Sequence, residues 1–262
     1  MTTTNEAEVW AMLDRDYLRE VAARGPKAIF ASISGAHLYG FASPDSDVDL
    51  RGAFLHSTEA MLGLHPPEET ITIEDKSRID LDWVAHDLRK FARMMVSHNG
   101  YVLEQLYSPL VVLETPEFEE LRALGRGCIT RPTVRHYQGF ARGRRKRLHE
   151  PNPTVKHLLY AYRVLLSGIH LMRTGEVLAH IQSLNEAVPR KEVDALVQRK
   201  REGHEKMELG AEEIAHHETL LEALEEDLKL AHAGSNLPLE PTTSRALDDF
   251  VIRVRLAHRS AP

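Results

Sequence analysis

Three observations predict an α+β fold. The apolar run Ala28–Ile33 enters the small-residue turn Ser34-Gly35-Ala36, and after a short loop the chain reads Asp47-Val48-Asp49-Leu50. Next, residues 69–74 and 78–84 alternate polar and apolar side chains, as half-buried strands do. Finally, beyond Thr130 the apolar positions recur with a helical period almost throughout. The predicted architecture is a small mixed sheet, with acids on one face and helices on the other, in a first domain over 1–127. A helical domain over 128–262 follows and closes the cleft.

Residues 6–24 have one apolar stripe, Val9, Leu13, Leu18 and Val21, and predict a helix ended by Gly25-Pro26. Residues 27–34 and 47–56 are the first two strands, joined by the glycine turn and a loop through Pro44. Ser57 or Thr58 caps a short helical turn. Two further strands follow, then an amphipathic helix over 87–97 that Asn99-Gly100 breaks. A short helix over 101–107 and a final strand over 110–113 precede a helix started by Thr115-Pro116. The helical part comprises residues 130–150, 154–174 with Thr154 as cap, 189–200, 205–232 and 241–258, the last capped by Thr242 or Thr243. Residues 175–188 show little pattern.

The chain has 262 residues, 42% of them hydrophobic, so a proper core is affordable. Its formal net charge is −6, which argues against a general nucleic-acid coat protein but leaves room for a local basic groove. The single cysteine, Cys128, excludes a disulfide framework and a cysteine-based zinc site. Fifteen histidines are scattered without a metal-binding spacing. No apolar run approaches membrane-spanning length, and residues 1–5 do not begin a signal peptide, so a cytoplasmic location is expected.

The Asp-x-Asp pair carries the chemistry. In a strand Asp47 and Asp49 share one face, while Val48 and Leu50 point to the core. Paired carboxylates stay ionised when a cation sits between them, and a hard divalent ion suits that oxygen pair. Such a pair alone is common on exposed edge strands. The glycine turn before it makes the combination rarer, because glycine lets backbone approach a phosphate and its amides bind an anion. Asp80 and Asp82 are candidates for a third acid, although spacing alone favours reading both as exposed strand charges.

The pattern Ser34-Gly35-Ala36-His37-Leu38-Tyr39-Gly40, then Ser46-Asp47-Val48-Asp49-Leu50-Arg51-Gly52, resembles the nucleotidyltransferases of the DNA polymerase β superfamily. More narrowly it resembles their RNA-repair-associated (RlaP-type) family. The likeness extends over roughly 28–175, through Asp87-Leu88-Arg89-Lys90-Phe91 and the Lys156 to Arg163 segment. It implies a polymerase-β-like palm and transfer of a nucleoside monophosphate from a nucleoside triphosphate to an acceptor hydroxyl. Asp47 and Asp49 would bridge two Mg²⁺ (or Mn²⁺) ions, and aligning on Asp87 makes Asp82 the third acid. Ser34, Gly35, Ala36 and Ser46 would hold phosphates. Lys156 would bind the triphosphate tail, with Arg163 in support. Ala36 departs from the family's usual serine, which leaves Ser34 or Ser46 to supply a hydroxyl.

An RNA or DNA 3′ end is the favoured acceptor, bound through Arg142, Arg144, Arg145, Lys146 and Arg147, although the run by itself reads sooner as a solvated helix face than as a phosphate contact. The alternatives are nucleotidylation of a protein or small molecule, and a non-catalytic nucleotide-binding or antitoxin-like module. The acidic helix over 205–232 is expected to pack internally or to form a homodimer.

Overall fold

The computed structural model describes residues 4–203 and 208–258. The chain forms two compact units. One holds Met1–Gly35, Asp47–Cys128 and Pro241–Pro262, the other Ala36–Ser46 and Ile129–Glu240.

The first unit begins with helices α1 (Thr4–Met12) and α2 (Arg15–Ala22). The expected single helix is broken because Asp14 turns extended and caps α2, accepting from the amides of Asp16 and Tyr17. Strand β1 (Lys27–Ile33) leads to a short helix, α3 (Gly35–Tyr39), where a turn was expected. Then come β2 (Val48–Leu55), α4 (Thr58–Leu62), β3 (Thr70–Asp75) and β4 (Leu81–Asp87). Helices α5 (Leu88–Val96) and α6 (Gly100–Leu106), β5 (Val111–Glu114) and α7 (Pro116–Gly125) complete this stretch.

The sheet is mixed, in the order β3-β4-β2-β1-β5. β1 runs antiparallel to β2 and β5, β3 antiparallel to β4, and β2 parallel to β4. The parallel pair matters most, because its register sets Asp49 beside Asp82 and Leu50 beside Trp83. β1 lies inside the sheet, between β2 and β5, and is buried along all but its first residue, as a strand covered on both faces must be. Its Phe30 ring stacks on Phe118 of α7 at 4.7 Å and meets Phe91 of α5 edge-on at 5.4 Å. Helices are not confined to the face opposite the acids. Arg51 bonds Tyr101 of α6, and Ser32 Oγ donates to the Gln105 carbonyl of the same helix.

The second unit is helical. After a 3₁₀ turn over Arg131–Thr133 come α8 (Val134–Arg147), α9 (Val155–Thr174), α10 (Ile181–Ala187), α11 (Lys191–Glu202) and α12 (Ala211–Ala233). α9 is the axis against which α8, α10, α11 and α12 pack. Thr154 and His157 form a reciprocal capping box at its start, and Gly175 closes it at φ 74°. α10 replaces the patternless connection expected over 175–188; its cap is His180, which accepts from the Ser183 amide. α12 spends its Leu221, Leu224 and Leu228 inside this unit, where Tyr162 Oη and His217 Nδ1 also bond at 2.9 Å. The expected start of that helix at 205 lies outside the described residues. Among the described residues no helix is long and apolar enough to cross a membrane.

The chain leaves the first unit at Cys128, and two segments belong to a different unit from their neighbours in sequence. Helix α13 (Ser244–Ala257) returns to pack on α5 and α7. Its Arg255 bonds Asp87 Oδ1 and the His56 carbonyl. Asp87 is 0% exposed, and a carboxylate that deep requires a counter-ion. Conversely, residues 36–46 belong with the helices. Lys200, fully buried on α11, donates to Ser43 Oγ at 2.5 Å, and Arg201 donates to the Gly40 carbonyl. The Arg163 guanidinium lies 3.9 Å from the centre of the Tyr39 ring, and Tyr160 meets Tyr39 and Phe41 edge-on.

Candidate active site

β2 and β4 build the acid pair. Asp49 and Asp82 are direct partners in the parallel register, so both side chains leave the same face. Asp80 lies before β4 and pairs with Lys76 at 3.3 Å, which leaves Asp82 as the acid of that strand at the site. Asp47 stands one residue before β2 and is partly exposed, as Asp49 is, with Val48 between them buried.

Between Asp49 and Asp82 lies Arg51. One guanidinium nitrogen, Nη2, donates to Asp49 Oδ1 at 2.5 Å and to Asp82 Oδ2 at 3.1 Å. Nη1 donates to the carbonyls of Leu50 and Asp82, and Nε donates to Tyr101 Oη. Burial opposes the charge of Arg51, but Tyr101, Asp49 and Asp82 more than offset it and raise its pKa. The role of Arg51 escaped the sequence reading, although the signal was present. In Asp49-Leu50-Arg51 the arginine is two residues from the aspartate and must share its face.

The glycine turn abuts this pair. Gly35 has φ 62°, and a Cβ built there would stand 1.9 Å from Asp49 Oδ2. The Ser34 amide donates to the Asp49 carbonyl at 2.8 Å, so that N–H serves the sheet rather than a phosphate. Ser34 Oγ is buried with no hydrogen-bond partner among the described residues. Ser46 Oγ accepts from the Ser43 amide and bonds Ser43 Oγ, which closes its own loop in the second unit, where Ala36 also lies.

The donors suit a hard divalent ion at Asp49 and Asp82: they are all oxygen, and Asp82 Oδ1 is buried without a partner among the described residues. Among the described residues no group of three His, Cys, Asp or Glu side chains is placed to hold a metal.

In the second unit Lys156 lines a cavity of about 620 Å³ with Arg144, Arg147, Thr154, His157 and Tyr160. Burial, then Arg144, Arg147 and Lys156, lower the pKa of His157, as expected where cations gather. Arg163 is not among the lining residues; it is buried on Tyr39. The side chains of the basic run have different partners. Arg144 lies over the Tyr160 and Phe140 rings, Arg145 pairs with Glu218, Glu222 and Glu225, and Arg147 pairs with Glu150. Arg142 and Lys146 are exposed.

Two half-buried histidines predict a pH response. Burial, then Lys90 and Arg51, lower His86 to about 4; burial, then Arg163, lowers His136 to about 4. With folded pKa values below the unfolded value of about 6.5, the folded state binds fewer protons in between. Their contribution is present above that value and is lost as the pH falls toward 4. The urea midpoint should therefore drop between pH 7 and 4.5, and the double variant His86→Asn/His136→Gln should flatten that drop. An equally steep drop in the variant would assign it to other groups.

A mixed sheet in which a glycine turn feeds an acid-bearing strand, paired in parallel with a second acid strand, is consistent with the polymerase-β-like nucleotidyltransferases. Comparison with known families gives the particular one: the RlaP family, described as an RNA repair pathway DNA polymerase beta family, matches residues 12–253, and the chain belongs to it. An uncharacterised protein of Methanocaldococcus jannaschii is 32% identical over 151 residues, 56% of this chain and 61% of that protein. This chain thus spans less than two thirds of that relative. The uncharacterised protein YcgL of Bacillus subtilis is 30% identical over 190 residues, 69% of this chain and 72% of that one.

Proposed function

We propose that the chain transfers a nucleoside monophosphate from a nucleoside triphosphate to an acceptor hydroxyl, with an RNA or DNA 3′ end as the acceptor. The observation that carries this reading is the register pairing of Asp49 with Asp82 beside the Cβ-free Gly35. The acceptor oxygen bonds to the α-phosphorus, the bond from that phosphorus to the bridging oxygen breaks, and pyrophosphate leaves. Asp82 orients the acceptor hydroxyl and takes up its proton. Asp49, Asp82 and Asp47 are the residues that would hold Mg²⁺ or Mn²⁺. Such an ion supplies positive charge at the phosphate oxygens and at the attacking hydroxyl. Gly35 lets the phosphates approach the acid strand, and the unpartnered hydroxyl of Ser34 offers them a donor. Lys156, in a cavity it lines with Arg144 and Arg147, neutralises the triphosphate tail, with Arg163 in support. Positioning and charge stabilisation carry the rate, as in phosphoryl transfer generally.

The test is a transfer assay with Mg²⁺ or Mn²⁺ and each labelled triphosphate, offering total RNA, a DNA oligonucleotide or the protein itself as acceptor. Label on a nucleic acid, lost on replacing the acids, is the expected result. Label on protein alone would move the acceptor, and a triphosphate bound but never transferred would leave a nucleotide-binding module. Lys156→Ala should raise the KM for the triphosphate about tenfold with kcat little changed, the mark of a binding contact. An unchanged KM removes Lys156 from the site.

A further inference from the structure

The site already contains a cation. We propose that Arg51 is the resident counter-ion of the acid pair, and that a divalent metal must compete with it for Asp49 Oδ1 and Asp82 Oδ2. The proposal rests on the reading of Asp49 and Asp82 as ligands to such an ion.

Arginine carries five N–H donors in a planar fork, and in Arg51 each has an acceptor. Nη2 uses both of its donors on the two carboxylates. Nη1 uses both of its donors on the backbone carbonyls of Leu50 and Asp82, which lie on the two parallel strands. Nε is held by Tyr101. The guanidinium is therefore anchored from behind while its front edge faces the acids. The Arg51 side chain is only 11% exposed, so little solvent screens it from them.

Two consequences follow. Arg51 holds Asp49 and Asp82 close together before any ligand arrives, where two bare carboxylates would repel each other. It also occupies lone pairs that a metal would need. An ion bound to Asp49 Oδ1 and Asp82 Oδ2 would sit within a few ångströms of a fixed positive charge and would bind more weakly for it. Asp82 Oδ1, buried and without a partner among the described residues, is the oxygen left over for an entering ion.

Mn²⁺ binding measures this directly, with no triphosphate or acceptor present, by the free-ion electron paramagnetic resonance signal. The expected result is that Arg51→Met binds Mn²⁺ at least about tenfold more tightly than the unaltered chain. Arg51→Lys, which keeps the charge, should stay within about threefold of the original affinity. Asp49→Asn should lose the added binding and thereby locate the ion. If Arg51→Met fails to fold, Tyr101→Phe leaves Arg51 in place but removes one anchor, and should tighten Mn²⁺ about threefold. Unchanged or weaker binding in the folded Met variant, or in Tyr101→Phe where Met does not fold, overturns the proposal. So does the absence of bound Mn²⁺ in every variant. Tighter binding in a protein that transfers no nucleotide would keep Arg51 as the competing cation and sink the transfer reaction instead.

Discussion

Asp49→Asn is expected to lower nucleotide transfer by about a thousandfold or more, because a metal contact is worth several kcal/mol at the transition state. The fold should survive. Asparagine keeps the shape of the side chain, and its amide oxygen can still accept from Arg51, so the bond seen at Asp49 Oδ1 persists without the charge. The Asp49 carbonyl that receives the Ser34 amide is backbone and is unaffected. The measurement pairs initial transfer rates with the thermal midpoint. Activity within a few fold of the original removes Asp49 from the chemistry. Asp82→Asn should behave alike, since the two acids share one register position and one arginine. Asp47 lies outside that group, so its replacement separates a two-acid site from a three-acid one. A loss as deep as for Asp49 would mean that Asp47 is drawn in when ligands bind.

Much of the sheet was readable because strands covered on one face advertise it by alternation. Leu81, Trp83 and Ala85 are buried, with Asp82, Val84 and His86 between them, as the period of two demands. The Asp-x-Asp strand and the turn before it were readable because few arrangements bring glycine and paired carboxylates together. What failed were features set by contacts distant in sequence. Nothing near Ser43 indicates that Lys200 will be buried against it, so the assignment of 36–46 to the helical unit was invisible. The return of α13 buries Leu247, Phe250 and Val254 and brings Arg255 to Asp87, contacts that join residues far apart in the chain. Within the site, Arg51 was missed for another reason. Its neighbours in the chain show which face it takes, but only the parallel pairing of β2 with β4, separated in sequence by α4 and β3, shows that Asp82 waits there. The break between α1 and α2 was legible in principle, since Asp14 is an ordinary N-cap, but the continuous apolar stripe hid it.

Gly35→Ala is the second large effect, and it should cost both stability and activity. The backbone there is left-handed, φ 62°, which costs an alanine roughly 1–2 kcal/mol. The steric term is larger, since a Cβ would stand 1.9 Å from Asp49 Oδ2 and 2.8 Å from its Cγ. Neither distance is tolerable, so the Asp49 side chain must move and its bond to Arg51 must shift with it. We expect a thermal midpoint lower by several degrees and transfer reduced to the level of Asp49→Asn. The two causes can be separated. Asparagine adopts the left-handed region more readily than alanine, yet it carries the same Cβ. If backbone strain dominates, Gly35→Asn should recover much of the lost stability. If contact with Asp49 dominates, asparagine should recover stability in part and activity not at all. That second outcome is the one the geometry predicts, because the glycine is needed less for the turn it makes than for the carboxylate it leaves room for.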